Sequence, residues 1–235
     1  MVRGPAALLG ACAASLTYFL IADELPDLGT GDKAVLVPGI VGVLMISAVV
    51  LTLVWAADGA VVPLVLMLSG SALLVAALDA AGVGPGACTF EALAAGSLGA
   101  LLGGMLAVPA VAVGVPLFVA AVDTWSVIAG PSSRLINGEP RGTAELTFDL
   151  PSWGGSLGDA AARLGLTDAI FMAMFATWTM RFGLRPRATA VGMVAGLVAT
   201  VVLSVTTDHA IPALPLLAVG YWLPNVDRLA GLLKG

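Results

Sequence analysis

Charge is scarce in this sequence. Only 11% of its 235 residues are Asp, Glu, Lys or Arg, against roughly 25% in a soluble domain. So few charged groups cannot cover a surface facing water, which argues against a soluble globular fold. Lysine is nearly absent (Lys33 and Lys234 only) and the net charge is −5, so nucleic acid is not expected as a partner. Cysteine occurs twice, as Cys12 in an apolar stretch and Cys88 among glycines. That spacing supplies neither a disulfide framework nor a metal site, and no cofactor or metal is expected. What fills the space left by charge is apolar: 59% of residues are hydrophobic and the mean hydropathy is +1.03. Disorder is thereby excluded, and a polytopic, multi-pass protein of the lipid bilayer remains. The acid-rich, lysine-poor loops suit a high-salt environment, where excess negative charge is screened.

A membrane-spanning helix needs about 20 mainly apolar residues. Eight segments qualify or nearly so: 5–22, 34–57, 60–82, 91–107, 109–130, 160–182, 188–206 and 210–223. The first also fits a signal peptide, but the apolar segments that follow favour a retained span. The apolar run from Leu93 to Gly130 divides at Pro109, because about 40 residues cross a bilayer twice. The last segment is short unless it continues past Pro224. Gly99/Gly103 and Gly192/Gly196 have the spacing of close helix contacts, although glycine is frequent throughout, at 29 residues. The expected fold is all-α, with two regions: N-terminal helices over 1–107, and over 108–235 the helices bearing the acids described below.

Residues 131–159 are rich in Gly, Pro, Ser and charge and form an extramembrane loop. Within it, Ala144-Glu145-Leu146-Thr147-Phe148-Asp149-Leu150 alternates apolar and polar and stops at Pro151. That is the pattern of one short β-strand, which needs a partner for its backbone groups.

Two acids lie within apolar segments. Asp123 sits in Phe118-Val119-Ala120-Ala121-Val122-Asp123-Thr124-Trp125, and Asp168 in Leu164-Gly165-Leu166-Thr167-Asp168-Ala169-Ile170-Phe171. An acid near the bilayer centre costs roughly 2.5–3.5 kcal/mol, so such residues are functional candidates. Asp123 lies seven residues before Gly130, about 10 Å deep at helical rise. Asp168 lies five residues after Arg163, about 7–8 Å deep by the same rise. Both depths are measured from the side carrying the 131–159 loop, so the carboxylates share a level. The last span opens on that side with Ile211-Pro212-Ala213-Leu214-Pro215, where two prolines interrupt the amide ladder. Irregular backbone at membrane depth is tolerated where it lines a cavity.

These residues resemble the presenilin and signal peptide peptidase family, most closely its short archaeal members. Three motifs occur in the family's order. The first is Val122-Asp123 near a helix end, with Gly130-Pro131 just beyond. The second is Gly165-Leu166-Thr167-Asp168 followed by Ala169-Ile170-Phe171, and the third is Pro212-Ala213-Leu214. The resemblance covers roughly 109–224, and before that it holds by hydropathy alone. The chain departs from the family at Val122, where a tyrosine is usual, and at Thr167, where a glycine allows close backbone approach. It also departs in span count, eight against the family's nine.

The resemblance implies an intramembrane aspartyl protease without cofactor, in an archaeal cell membrane. It would hydrolyse transmembrane segments of membrane proteins or leftover signal peptides. Asp123 and Asp168 would be catalytic, and Gly165, Thr167, Leu146, Phe148, Pro212, Ala213 and Leu214 would contact substrate. Two close carboxylates share one proton; the ionised member activates water and the protonated one polarises the scissile carbonyl. Which is which stays open, as do substrate identity and oligomeric state. An unwound substrate would add to the 144–150 strand. Two other classes also fit the acids. One is a catalytically silent homologue, to which Thr167 points. The other is a proton- or ion-coupled transporter, against which stand the lack of an internal repeat and the acids' position towards one face.

The remaining polar residues read as interfacial: Asp79 at the end of the third span, Asp208 and His209 before the Pro-Ala-Leu run, and Trp55, Trp178 and Trp222 as anchors at span ends. Trp125 is expected to shield Asp123 from water. Orientation signals conflict. The loop side carries Lys33, Arg134, Arg141 and Arg163, and the opposite side Arg3, Arg181, Arg185, Arg187, Arg228 and Lys234. The positive-inside rule puts the second set in the cytoplasm, whereas the resemblance puts the loop there.

Overall fold

A computed structural model describes residues 3–29, 31–82, 84–129, 147–155 and 162–232. Among them the helices are α1 (Arg3–Ile21), α2 (Asp32–Ala57), α3 (Val61–Ala80), α4 (Gly84–Met105), α5 (Pro109–Ala129), α6 (Leu166–Arg181), α7 (Pro186–Thr207), α8 (Ala213–Trp222) and α9 (Val226–Leu232). Six of these, α1 to α5 and α7, are long and apolar enough to cross a membrane. The protein is thus mostly helical with several candidate spans. α6 has 16 residues and α8 has 10, short of the roughly 20 a span needs. Helical backbone nevertheless persists past Pro224, because a 3-10 turn at Leu223–Asn225 joins α8 to α9. The long apolar run divides at Pro109 as the sequence predicts. Val108 precedes a proline, a position disfavoured for right-handed helix, and Pro109 opens the next helix, where its missing N–H costs nothing.

A strand β1 (Thr147–Leu150) is present, and its partner is β2 (Ala162–Gly165), antiparallel, with Thr147 opposite Gly165 and Asp149 opposite Arg163. The sequence assigns residues 162–165 to the start of a span. They are extended instead, so α6 begins at Leu166 and the helical-rise depth of Asp168 no longer applies. Phe148, Leu150 and Leu164 face inward and are buried, while Asp149 and Arg163 pair outside at 3.0 Å. Leu150 lies over Gly42 of α2, where a Cβ would fall 2.8 Å from Leu150 Cδ2. The segment after β1 is tied down by Trp153, whose Nε1 donates to Tyr18 Oη (3.3 Å); that hydroxyl donates to the Pro38 carbonyl (3.0 Å).

α6 is the buried centre of the bundle. Its residues from Met172 to Thr179 are all buried, as expected of a helix apolar on every side. Both glycine pairs sit at close crossings. On α4, a Cβ at Gly99 would lie 2.8 Å from Ala173 Cβ and against the Ile170 carbonyl of α6; one at Gly103 would lie 3.0 Å from the Met174 carbonyl. On α7, Gly192 meets the Gly220 backbone and Gly196 the Leu216 carbonyl of α8. Small residues let helices approach where lipid supplies no hydrophobic drive. Trp178, expected as an interfacial anchor, is instead fully buried. It stacks on Phe175 (5.7 Å between ring centroids) and donates to the Gly103 carbonyl at 3.0 Å. At the far end of α8 a buried polar knot closes. Asn225 accepts from the Arg185 amide (2.9 Å) and donates to Thr189 Oγ1 (2.7 Å) and to the Tyr221 carbonyl (2.8 Å). α5 packs chiefly on α8. The outer faces of α3 and α5 expose large apolar side chains, including Leu66, Leu73, Leu117 and Phe118, suited to acyl chains rather than water.

Candidate active site

Asp168 is the only buried charged residue among those described, 7% exposed. It occupies the third position of α6, and the strand-to-helix change at Gly165 sets it there. Gly165 is the N-cap, extended at φ −65° and ψ 136°, and its N–H donates to Asp168 Oδ2 at 3.1 Å. This is the carboxylate half of a capping box; glycine has no side chain to supply the other half. A Cβ at Gly165 would lie 3.0 Å from Asp168 Oδ2 and 3.2 Å from Thr167 Oγ1, so glycine keeps the carboxylate uncrowded. Thr167 itself is exposed.

Asp123 lies in α5, half-buried. Its anchor comes from the Pro-Ala-Leu run. Pro212 is the extended N-cap of α8 at φ −62° and ψ 131°. The Leu214 N–H donates to Asp123 Oδ2 at 3.0 Å, with the Ala213 amide beside it. Opening amides have no partner within their own helix, and the helix start carries partial positive charge, so a carboxylate there is stabilised. Pro215, also in the first turn, contributes no N–H. α5 and α8 are thereby joined at the level of the acid.

The structure brings Asp123, Asp168, Gly165, Thr167, Pro212, Ala213 and Leu214 to one end of the bundle, and the charge on Asp123 acts on Asp168 across the space between them. The helices that carry the two acids rest on different neighbours: α6 on α4, and α5 on α8. Phe148 is placed otherwise, with its side chain fully buried in the core beneath β1. Leu146 lies outside the described residues. Trp125, expected to shield Asp123, is itself 61% exposed on α5. His209 is exposed, with Nδ1 bonded to the Thr207 carbonyl at 2.5 Å, and Asp208 ends α7 in left-handed conformation at φ 54°.

Glu91 escapes the sequence reading. It is half-buried on α4, within electrostatic reach of Asp79 and Asp149, and a lone acid at the edge of an apolar run was its only signal. Neighbouring Cys88 is buried, with Sγ donating to the Asp149 carbonyl at 3.5 Å. Among the described residues no group of three His, Cys, Asp or Glu could hold a metal ion. What the site offers is a buried carboxylate, a half-buried one held by helix amides, and a small sheet leading into the first. No family model, curated protein or solved structure matches the chain.

Proposed function

We propose that this chain is an intramembrane aspartyl protease of the presenilin and signal peptide peptidase kind, acting on transmembrane segments in the membrane of a high-salt archaeon. The observation that carries this reading is that Asp123 and Asp168, distant in sequence and on different helices, lie within electrostatic reach of each other, with the Leu214 amide bonded to one and the Gly165 amide to the other.

In this reading the two acids share one proton. The ionised carboxylate takes a proton from water as the oxygen attacks the scissile carbonyl carbon, while the protonated one hydrogen-bonds the carbonyl oxygen. The tetrahedral intermediate then collapses, the C–N bond breaks and the leaving nitrogen takes the proton that the first carboxylate drew from water, which restores the pair. A substrate helix must unwind before its carbonyl is accessible, and an unwound segment can pair by strand addition with the β1–β2 sheet. The burial of Phe148 makes this contact one of backbone rather than of that side chain.

The test is incubation of purified protein in liposomes with a single-span peptide, with products identified by mass spectrometry. Two fragments summing to the peptide plus one water are expected. A peptide left intact after prolonged incubation counts against hydrolysis and favours the silent homologue, to which Thr167 points.

A further inference from the structure

On the face opposite the aspartates, a cavity of about 140 Å³ opens between the ends of α2, α4 and α6 and the start of α3. Its floor is apolar: Val54, Leu64 and Ala100 are buried. Two opposite charges stand on its rim, Asp58 just after α2 and Arg181 at the last position of α6. Both are exposed, and neither pairs with the other or with any other charge among the described residues. Asp58 also adopts a left-handed backbone at φ 45°, a conformation that glycine takes without strain. No hydrogen bond within the described residues accounts for an acid there. The last carbonyls of α2 end at the same rim and add partial negative charge beside Asp58.

The two rim charges suit the two ends of one polar ligand. A guanidinium binds a phosphate through paired donors, and a carboxylate beside helix-end carbonyls accepts hydrogen bonds. The cavity is close in volume to one of about 150 Å³ that holds benzene, which suits a small headgroup. Exposed Val61, Val62 and Leu66 lead from its mouth along α3, a path for acyl chains. We propose that this cavity binds the headgroup of a membrane phospholipid whose phosphate sits at Arg181 and whose hydrogen-bond-donating end sits at Asp58. The inference does not depend on the protease reading.

The probe is phosphatidylglycerol added to the detergent-solubilised full chain, with melting temperature as readout. Phosphatidylmethanol, whose end is neutral and donates no hydrogen bond, and free glycerol phosphate are run beside it. At a hundredfold excess over Kd, phosphatidylglycerol should raise Tm by roughly 5–10 °C, and the other two by less than half as much. Asp58→Gly removes the carboxylate and suits the left-handed backbone, and Arg181→Gln removes the charge. Both residues are exposed, so each variant should melt near wild type without lipid and lose most of the shift. Equal shifts in wild type and both variants overturn the proposal. So does an equal response to phosphatidylmethanol, or a response to free glycerol phosphate that matches the lipid's.

Discussion

Replacing Gly99 by alanine perturbs the site without touching either acid. The added methyl would lie 2.8 Å from Ala173 Cβ and against the backbone carbonyl of Ile170. A carbonyl within a helix cannot swing aside as a side chain can, so α4 and α6 must separate. Restoring ordinary carbon–carbon contact near 3.5–4.0 Å needs a shift of about 1 Å. Overpacking of this kind costs about 1–3 kcal/mol. The functional effect is larger in proportion, because Asp168 rides on α6 two residues before Ile170, while Asp123 is held by α5 and α8. A misplacement of about 1 Å can cost roughly a hundredfold in rate. The assay measures Tm in detergent and cleavage of a single-span peptide in liposomes. Gly104→Ala, on the same helix with nothing within 4 Å of its added Cβ, is the control and should match wild type in both. Gly99→Ala with wild-type turnover would refute the link between α4–α6 packing and alignment of the acids.

Other outcomes follow from the same contacts. Asn225→Leu leaves the part-buried Arg185 amide without its acceptor and the buried Thr189 hydroxyl without its donor, and should lower stability by about 1–3 kcal/mol in chemical denaturation. Asp149→Asn breaks an ion pair whose side chains are 58% and 62% exposed, so a change above about 1 kcal/mol counts against the assignment of that pair to the surface. Gly42→Ala meets only the flexible end of Leu150, whereas Gly220→Ala meets the Gly192 backbone, so thermal melting should show the second variant as clearly the less stable.

Much of the fold was legible because bilayer thickness imposes a length and lipid imposes apolarity. Those two constraints locate α1 to α5 and α7, and the stereochemistry of Pro109 divides the longest run. The two acids stood out because charge is rare in such segments. The start of α6 was not legible: Ala162-Arg163-Leu164-Gly165 has no alternation strong enough to mark a strand, and its extended form follows from pairing with β1. Tertiary context also placed Trp178. Its position near a segment end fits an interfacial anchor, but its N–H finds a carbonyl across the α4–α6 crossing and the ring is buried. The role of Pro212-Ala213-Leu214 in holding Asp123 was half legible. Prolines announce an irregular helix start, while the identity of the group that meets its amides depends on how α5 packs on α8. Phe148 shows the limit of periodicity, which gathers the apolar side chains on one face of a strand without saying whether that face meets the protein's own core or a substrate.

The central claim is that Asp123 and Asp168 form one hydrolytic pair. It is tested most directly by Asp123→Asn and Asp168→Asn variants, reconstituted at equal amounts and shown to be folded by circular dichroism. Each single variant is expected to reduce cleavage of a single-span peptide to background, with the double variant no lower than either. Cleavage at the wild-type rate by either single variant would contradict the account.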